Sequence, residues 1–318
     1  MNSASTYFVR KVFNYFCEAQ RLYYWLLNKT KYLSALMAVL FCTFTADATL
    51  VYSDDFNRAT IAGGTYSYST TVTAGDGAAS INNSKLLLSN DGSGAANGNG
   101  IVYVTTAASG FGPSYNSQLS LNPGLVTWTF NMQQIRTDPG GIQPGSYGVG
   151  FILGASSGTL TTASGYAVIL GNGGTTDPIR LTKFTGGIGT LTDIISASAP
   201  LSDVGANYLS LRVTYDPAGD IWNLYGRDDG TSNFADPTSG TLSSLGSGSD
   251  STYVNTTLTH LGSIWSYNTA AGQTAQFDNF SVDVALAPVP EPINWAMIGF
   301  GTLFGGFKIG RYLRSRTT

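Results

Sequence analysis

From residue 49 to residue 287 the chain is cut into short apolar or alternating runs by Gly, Asn, Asp, Pro and Ser, and no window carries a helical periodicity. In one of these runs Leu209, Leu211, Val213 and Tyr215 alternate with Ser210, Arg212 and Thr214. That is the period-2 pattern of a strand with one wet face. Asp216-Pro217-Ala218-Gly219-Asp220 then turns the chain into Ile221-Trp222-Asn223-Leu224-Tyr225, with proline expected to preset φ and Gly219 to supply the unusual dihedral. The same reading places strands at 86–89, 101–105, 125–135, 147–153, 166–170, 179–184, 208–215, 221–225, 258–267 and 276–284. Gly92 to Gly100 and Ser239 to Ser251 read as loops, and no internal repeat is present. Many strands, dense turns and no helix predict an all-β, two-sheet sandwich.

The two ends differ in kind from this middle. Leu33 to Thr45 is apolar, preceded by Lys29 and Lys31 and followed by Ala46-Asp47-Ala48, the layout of a secretory signal with an A-x-A cleavage site, here with a long n-region. At the other end Val-Pro-Glu-Pro leads into the apolar Ile293 to Phe307 and a basic tail with Lys308, Arg311, Arg314 and Arg316. Basic residues beside such a span stay cytoplasmic, which puts everything before it outside. The span is roughly 22 Å long at about 1.5 Å per residue, short against a hydrocarbon core of about 30 Å. A permanent anchor is therefore the weaker reading. The motif Pro290, Glu291, Pro292, the short glycine-bearing hydrophobic helix and the tail Arg311, Arg314, Arg316 together resemble the PEP-CTERM sorting signal. That resemblance implies an exosortase-like processing enzyme as partner, transient contact with the inner membrane, and delivery to the cell surface or an exopolysaccharide matrix. The organisation expected is 1–48 signal, 49–287 sandwich, and 288–318 sorting signal.

Within the sandwich seven basic residues face sixteen aspartates, a formal charge of −9. An acidic domain offers no surface to neutralise phosphates, which argues against nucleic-acid binding. Cys17 and Cys42 both lie in the leader, so the middle can form no disulfide and no thiolate metal site.

Three segments carry a likeness to a known fold: Asp54-Asp55-Phe56-Asn57-Arg58 at the start, Gly148 to Leu153 in the middle, and Phe277-Asp278-Asn279-Phe280-Ser281-Val282 at the end. With the hairpin around Asp216, they resemble the concanavalin A-like (laminin-G/legume-lectin) jelly roll. The resemblance implies that the first and last strands pair. Glycosidases of this fold use glutamates, whereas residues 49–287 contain none. Asp278 and Asp283 sit at opposite parity, which predicts opposite faces. The expectation is a non-enzymatic protein.

Nucleophilic chemistry has little to work with, since His260 is the sole histidine and no G-x-S-x-G elbow occurs. Hard oxygen donors make calcium the one plausible ion. Asp54, Asp55 and Asp278 would approach one another if the terminal strands pair, a candidate structural Ca2+ site of the kind the resemblance implies. Arg227 to Asn233 is a second oxygen-rich stretch, read as turn capping. For sugar binding the candidate stacking aromatics are Tyr115, Trp222, Trp265 and Tyr267, with Trp128 read as core. The leading function is carbohydrate recognition at the cell surface or in exopolysaccharide. A purely structural matrix or adhesion role, and an Asp-based glycoside hydrolase, are the alternatives. Aromatic rings and Asp/Asn groups converging on a sheet face or loop crevice favour the first; a face of small apolar residues without a donor cluster favours the second.

Overall fold

The computed structural model describes residues 48–90, 99–142, 146–174, 176–268 and 273–286. The signal segment, the Pro290-Glu291-Pro292 motif, the C-terminal hydrophobic stretch and the tail Arg311, Arg314, Arg316 lie outside these residues. Among the described residues no helix is long and apolar enough to cross a membrane.

The described residues form fifteen strands: β1 (Ala48–Asp54), β2 (Tyr68–Val72), β3 (Gly77–Asn82), β4 (Lys85–Asn90), β5 (Gly100–Ala107), β6 (Val126–Gln134), β7 (Gly148–Ala155), β8 (Gly165–Leu170), β9 (Ile179–Phe184), β10 (Leu191–Ser196), β11 (Tyr208–Asp216), β12 (Ile221–Gly230), β13 (Ser243–Ser249), β14 (His260–Tyr267) and β15 (Gln273–Ala285). They make two antiparallel sheets, the all-β sandwich expected from the sequence. One is ordered β13-β12-β11-β6-β15-β4-β3, with β1 also on β15; the other is ordered β10-β9-β8-β7-β14-β5-β2. Ala48 pairs with Ala285 and Asp54 with Phe280, so the first and last strands meet as anticipated.

Alternation decides what enters the core. Trp128 and Phe130 of β6 and Trp222 and Leu224 of β12 point inward from one sheet, against Phe151 of β7 and Tyr166 and Val168 of β8 from the other, all fully buried. Phe130 stacks on Phe151 at 3.9 Å, and Tyr166 meets Trp222 at 4.5 Å. Burying a large aromatic contributes several times what a single methylene does, so these few rings dominate the interior.

Two local readings need correction. The stretch 239–251 is not all loop: Ser243–Ser249 pairs along β12 as an edge strand, with Leu245 as its buried anchor. Backbone pairing needs no side chains, so a Gly/Ser run can be drafted into a ladder once its neighbour is fixed. At the Asp216 turn the positive φ belongs to Asp220 (51°) and not to Gly219. Asp220 Oδ1 accepts a 2.6 Å bond from the Tyr215 hydroxyl, which anchors an aspartate in a region its short polar side chain tolerates.

Candidate functional site

The strand β15 carries an irregularity that shapes the outer surface of its sheet. Phe277 and Phe280 are both buried although three residues apart, because the register slips between Asp278 and Ser281 and Asn279 takes φ 51°. An extra residue of this kind is a β-bulge, and it resets which side chains face out. Asp278, Ser281 and Asp283 oppose Asn131, Thr129 and Thr127, alternate residues of β6, and therefore share the outer face. The parity expectation for Asp278 and Asp283 is thus overturned. Their partners are four residues apart, which spaces them by about 13 Å at about 3.3 Å per residue. Glycosidic carboxyl pairs need about 5–9.5 Å. The two aspartates fail as a catalytic pair on distance and not on facing.

Asn131 is the hub of that face. Fully buried, it donates from Nδ2 to the Leu209 and Ala235 carbonyls and to Ser210 Oγ, at 3.2, 3.0 and 2.9 Å, while its Oδ1 accepts from Asn279 Nδ2 at 2.8 Å. These bonds fasten the segment 231–242 across the sheet. Asp229, whose side chain is 1% exposed, completes the fastening. It accepts from Arg227 Nε (2.6 Å), Ser210 Oγ (2.6 Å) and the Ala235 amide (3.0 Å). Arg227 also donates to the carbonyls of Ser239 and Asp236 at 2.6 and 3.1 Å. Of the oxygen donors between Arg227 and Asn233, Asp229 holds the strap in place, while Asp228 caps the turn through the Gly230 amide at 2.7 Å.

Opposite the strap lies the turn that ends β1. Buried Phe56 has φ 51°, a conformation rare for a bulky residue. It is kept there by packing edge-on against Phe280 at 5.0 Å, by its amide bond to Asp54 Oδ1 at 2.9 Å, and by Arg58 above its ring. Arg58 grips both oxygens of Asp54, at 2.5 and 2.9 Å, and Nε bonds the Thr60 carbonyl at 3.0 Å. Tyr68 donates to Asp54 at 2.7 Å and meets the Tyr52 hydroxyl at 2.5 Å.

Between turn and strap opens a cleft of about 530 Å³, lined by Ser53, Asp54, Asp55, Asn57, Arg58, Gly63, Gly64, Thr65, Asp236, Pro237, Thr238, Asn279, Phe280 and Ser281. Asp55 and Asp236 are exposed there. Hydrogen bonds from the Asn57 backbone and side chain hold the Asp55 carboxyl below its ordinary range, and those from Thr238 do the same for Asp236. Asp278 behaves oppositely, pushed up to about 6, mainly by burial.

The calcium expectation is not met by this donor set. Strand pairing brings Asp54, Asp55 and Asp278 into one region, but Asp54 already accepts an arginine fork, a hydroxyl and an amide. Among the described residues no three acidic, histidine or cysteine side chains are grouped to hold a metal. Arg58 supplies the positive charge that a cation would.

The stacking platform needs the same correction. Trp222, Trp265 and Tyr267 are at most 1% exposed, on inward positions of β12 and β14, and a ring enclosed by core cannot meet a sugar face. Trp222 donates Nε1–H to the Asp250 carbonyl, and Tyr267 donates its hydroxyl to the Ala74 carbonyl. Tyr115 packs against the core beside Phe111, 5.1 Å away, and burial pushes its hydroxyl above the usual tyrosine range. His260 bonds Thr259 Oγ1 through Nδ1 at 2.8 Å, and burial lowers its basicity.

A smaller pocket of about 190 Å³ lies on the other sheet around Arg180, with Gly140, Gly141, Asn172 and Gly189 in its wall. Arg180 donates to the Gly171 carbonyl at 2.9 Å and to Asp193 at 2.8 Å.

No protein-family model matches the chain, and no curated protein matches its sequence. Among solved structures it is similar to peanut lectin with a 9mer peptide, at 11% identity and TM-score 0.46 over 75% of this chain and 97% of that one. It is similar also to lectin II from Ulex europaeus (12%, 0.46, 76% and 100%) and to arcelin-5, a lectin-like defense protein from Phaseolus vulgaris (11%, 0.43, 75% and 99%). Identities and scores this low say nothing of what this chain binds.

Proposed function

We propose that this protein is an exported, non-enzymatic β-sandwich that binds carbohydrate through hydrogen bonds in the cleft between the Asp54–Arg58 turn and the Asp236–Thr238 strap. The supporting observation is the convergence of Asp55, Asn57, Asp236, Thr238, Asn279 and Ser281 on one open space of a size that suits a small ligand or a chain segment. Carboxylates and amides accept and donate in fixed directions to vicinal hydroxyls, and charge-assisted bonds are the stronger kind. Both walls are held by buried polar networks, so little ordering is left for the ligand to impose. Recognition here is by hydrogen bonding, since Phe280, the one aromatic of the lining, is 1% exposed.

The two ends of the sequence support export, processing by an exosortase-like enzyme and residence at the cell surface or in an exopolysaccharide matrix. A glycan array probed with the full chain tests the binding: specific signals are expected, and Asp236→Ala is expected to weaken them about tenfold. A blank array would leave the second reading, a structural matrix protein. That reading is favoured by the outer face of the seven-stranded sheet, where Ile152, Ala167, Ile169 and Ile264 are closed off from solvent.

A further inference from the structure

Resting on that reading of the cleft, we propose that it selects neutral glycans and rejects chains bearing uronate or sulfate groups. The argument is the balance of charge at the lining. Arg58 is the one cation among the lining residues. Its two terminal nitrogens lie on Asp54 at 2.5 and 2.9 Å, and its Nε on a backbone carbonyl, so its charge is matched at its own side of the cleft. Asp55 and Asp236 have no ion-pair partner; the attraction of Arg58 for Asp55 and of Arg227 for Asp236 is the smallest of the effects acting on each. Their hydrogen-bond partners are the neutral groups of Asn57 and Thr238, which stabilise the ionised form without cancelling it. Each carboxylate has about four lone-pair directions and fills some of them locally. The remainder face the cleft as acceptors for hydroxyl groups, which a neutral polyol supplies and a second anion does not.

Charges nearby do not reverse this balance. Asp278, coupled to Asp54 and Asp55, is itself acidic, and Lys85 acts on Asp278 from outside the lining. At longer range the sandwich carries seven cations against sixteen aspartates, so an anionic polymer meets repulsion on approach, screened beyond about 8–10 Å in ordinary salt. Like-charge contact in a partly desolvated cleft is a recognised device of specificity.

The test uses the full chain, titrated calorimetrically with a neutral dextran, a neutral galactan, polygalacturonate and alginate at low and moderate salt. At least one neutral polymer is expected to bind, with both uronate polymers at least tenfold weaker. Asp55→Asn with Asp236→Asn, checked for an unchanged melting curve, is expected to close that gap. Uronate polymers binding as tightly as neutral ones, or a gap that survives the double substitution, would overturn the charge argument while leaving sugar binding in place. Silence from all four polymers would overturn the carbohydrate reading itself, and this inference with it.

Discussion

The two outer faces of this sandwich are built from the same strand periodicity and end as opposites. On the eight-stranded sheet the outward positions include Thr127, Thr129, Asn131, Ser210, Arg212 and Asp229; hydrogen bonds join Thr129 to Ser281 and link Asn131, Ser210 and Asp229, which a strap covers. On the seven-stranded sheet they are Gly150, Ile152, Ala167, Ile169, Gly262 and Ile264, and this face closes into a second small core with Ile142, Leu160, Ala163 and Ile188 from neighbouring loops. Both faces are therefore covered; the polar one opens at its margin on the cleft of about 530 Å³, the apolar one only on the smaller pocket of about 190 Å³ around Arg180. A buried polar network holds backbone segments apart at fixed positions, whereas an apolar face draws its cover down and leaves less space.

The largest effect expected lies in the core beneath both faces. Trp222→Ala removes a ring in contact with Trp128, Tyr166 and Tyr215 and should destabilise by about 3–5 kcal/mol. Under conditions where the variant stays folded, glycan affinity should be unchanged. A selective loss of binding at full folding would instead restore Trp222 as a ligand contact.

Asp229→Ala addresses the polar face alone. It leaves Arg227 without its ion-pair partner and the Ala235 amide without an acceptor. Removing one member of a buried pair costs about 3–5 kcal/mol, and here about 2–3 because Arg227 keeps a quarter of its surface in water. Urea unfolding reads the stability. Glycan affinity should fall further than for Trp222→Ala, since the strap is released, and equal affinities would show that the strap does not shape the cleft.

Gly150→Val is the counterpart on the apolar face. A Cβ there would run into Ile169 and sit 3.0 Å from the Val168 carbonyl oxygen and 3.2 Å from Ile264, so side chains and the neighbouring strand must shift, at about 1–3 kcal/mol or somewhat more. Thermal melting should fall while glycan binding stays at its parent value. Lost binding without lost stability would move the ligand to this face.

Much of the fold was legible because strand patterns are robust: the ten strands read from alternating or continuous apolar runs between turn residues all form, from β4 to β15. Among the strands that escaped, Tyr68–Val72 and Ser243–Ser249 carry little hydrophobicity and join their sheets through backbone pairing with one inward anchor each, Tyr68 and Leu245. The cleft was half legible. The pairing of the chain ends placed Asp54, Asp55 and Asp278 in one region, yet their roles were misread because the partner of Asp54 is Arg58, four residues on in the same turn. Asn131, Asn279 and Asp236 were missed. Phe277 and Phe280 held a signal for one of them: two core aromatics three apart on a strand demand an extra residue between them, and Asn279 is that residue. Nothing local marks Asp236, whose position is set by contacts with strands far away in sequence.

The smallest effect sharpens the comparison through pH. Asp278 stands on the polar face with its carboxyl pushed up to about 6, chiefly by burial, whereas in the unfolded chain it titrates near the ordinary value of 3.8. A carboxyl raised on folding binds its proton more tightly in the native state, so stability falls as pH rises from about 4 to about 6 and levels off above. Full conversion of such a shift would exceed 2 kcal/mol, but the side chain is partly solvated, and about 1–2 kcal/mol is the screened expectation. Asp177, on the seven-stranded sheet's side, is raised to about 6 by burial and by Asp138, and acts in the same sense. Asp278→Asn should therefore remove only part of the decline between pH 4 and 6, and Asp177→Asn a further part, with Asp283, also raised by burial, contributing in the same sense. Urea midpoints at half-unit pH steps separate them. If Asp278→Asn leaves the profile of the parent protein intact, the carboxyl is solvated in the folded state and the polar face is wetter beneath its strap than its hydrogen bonds require.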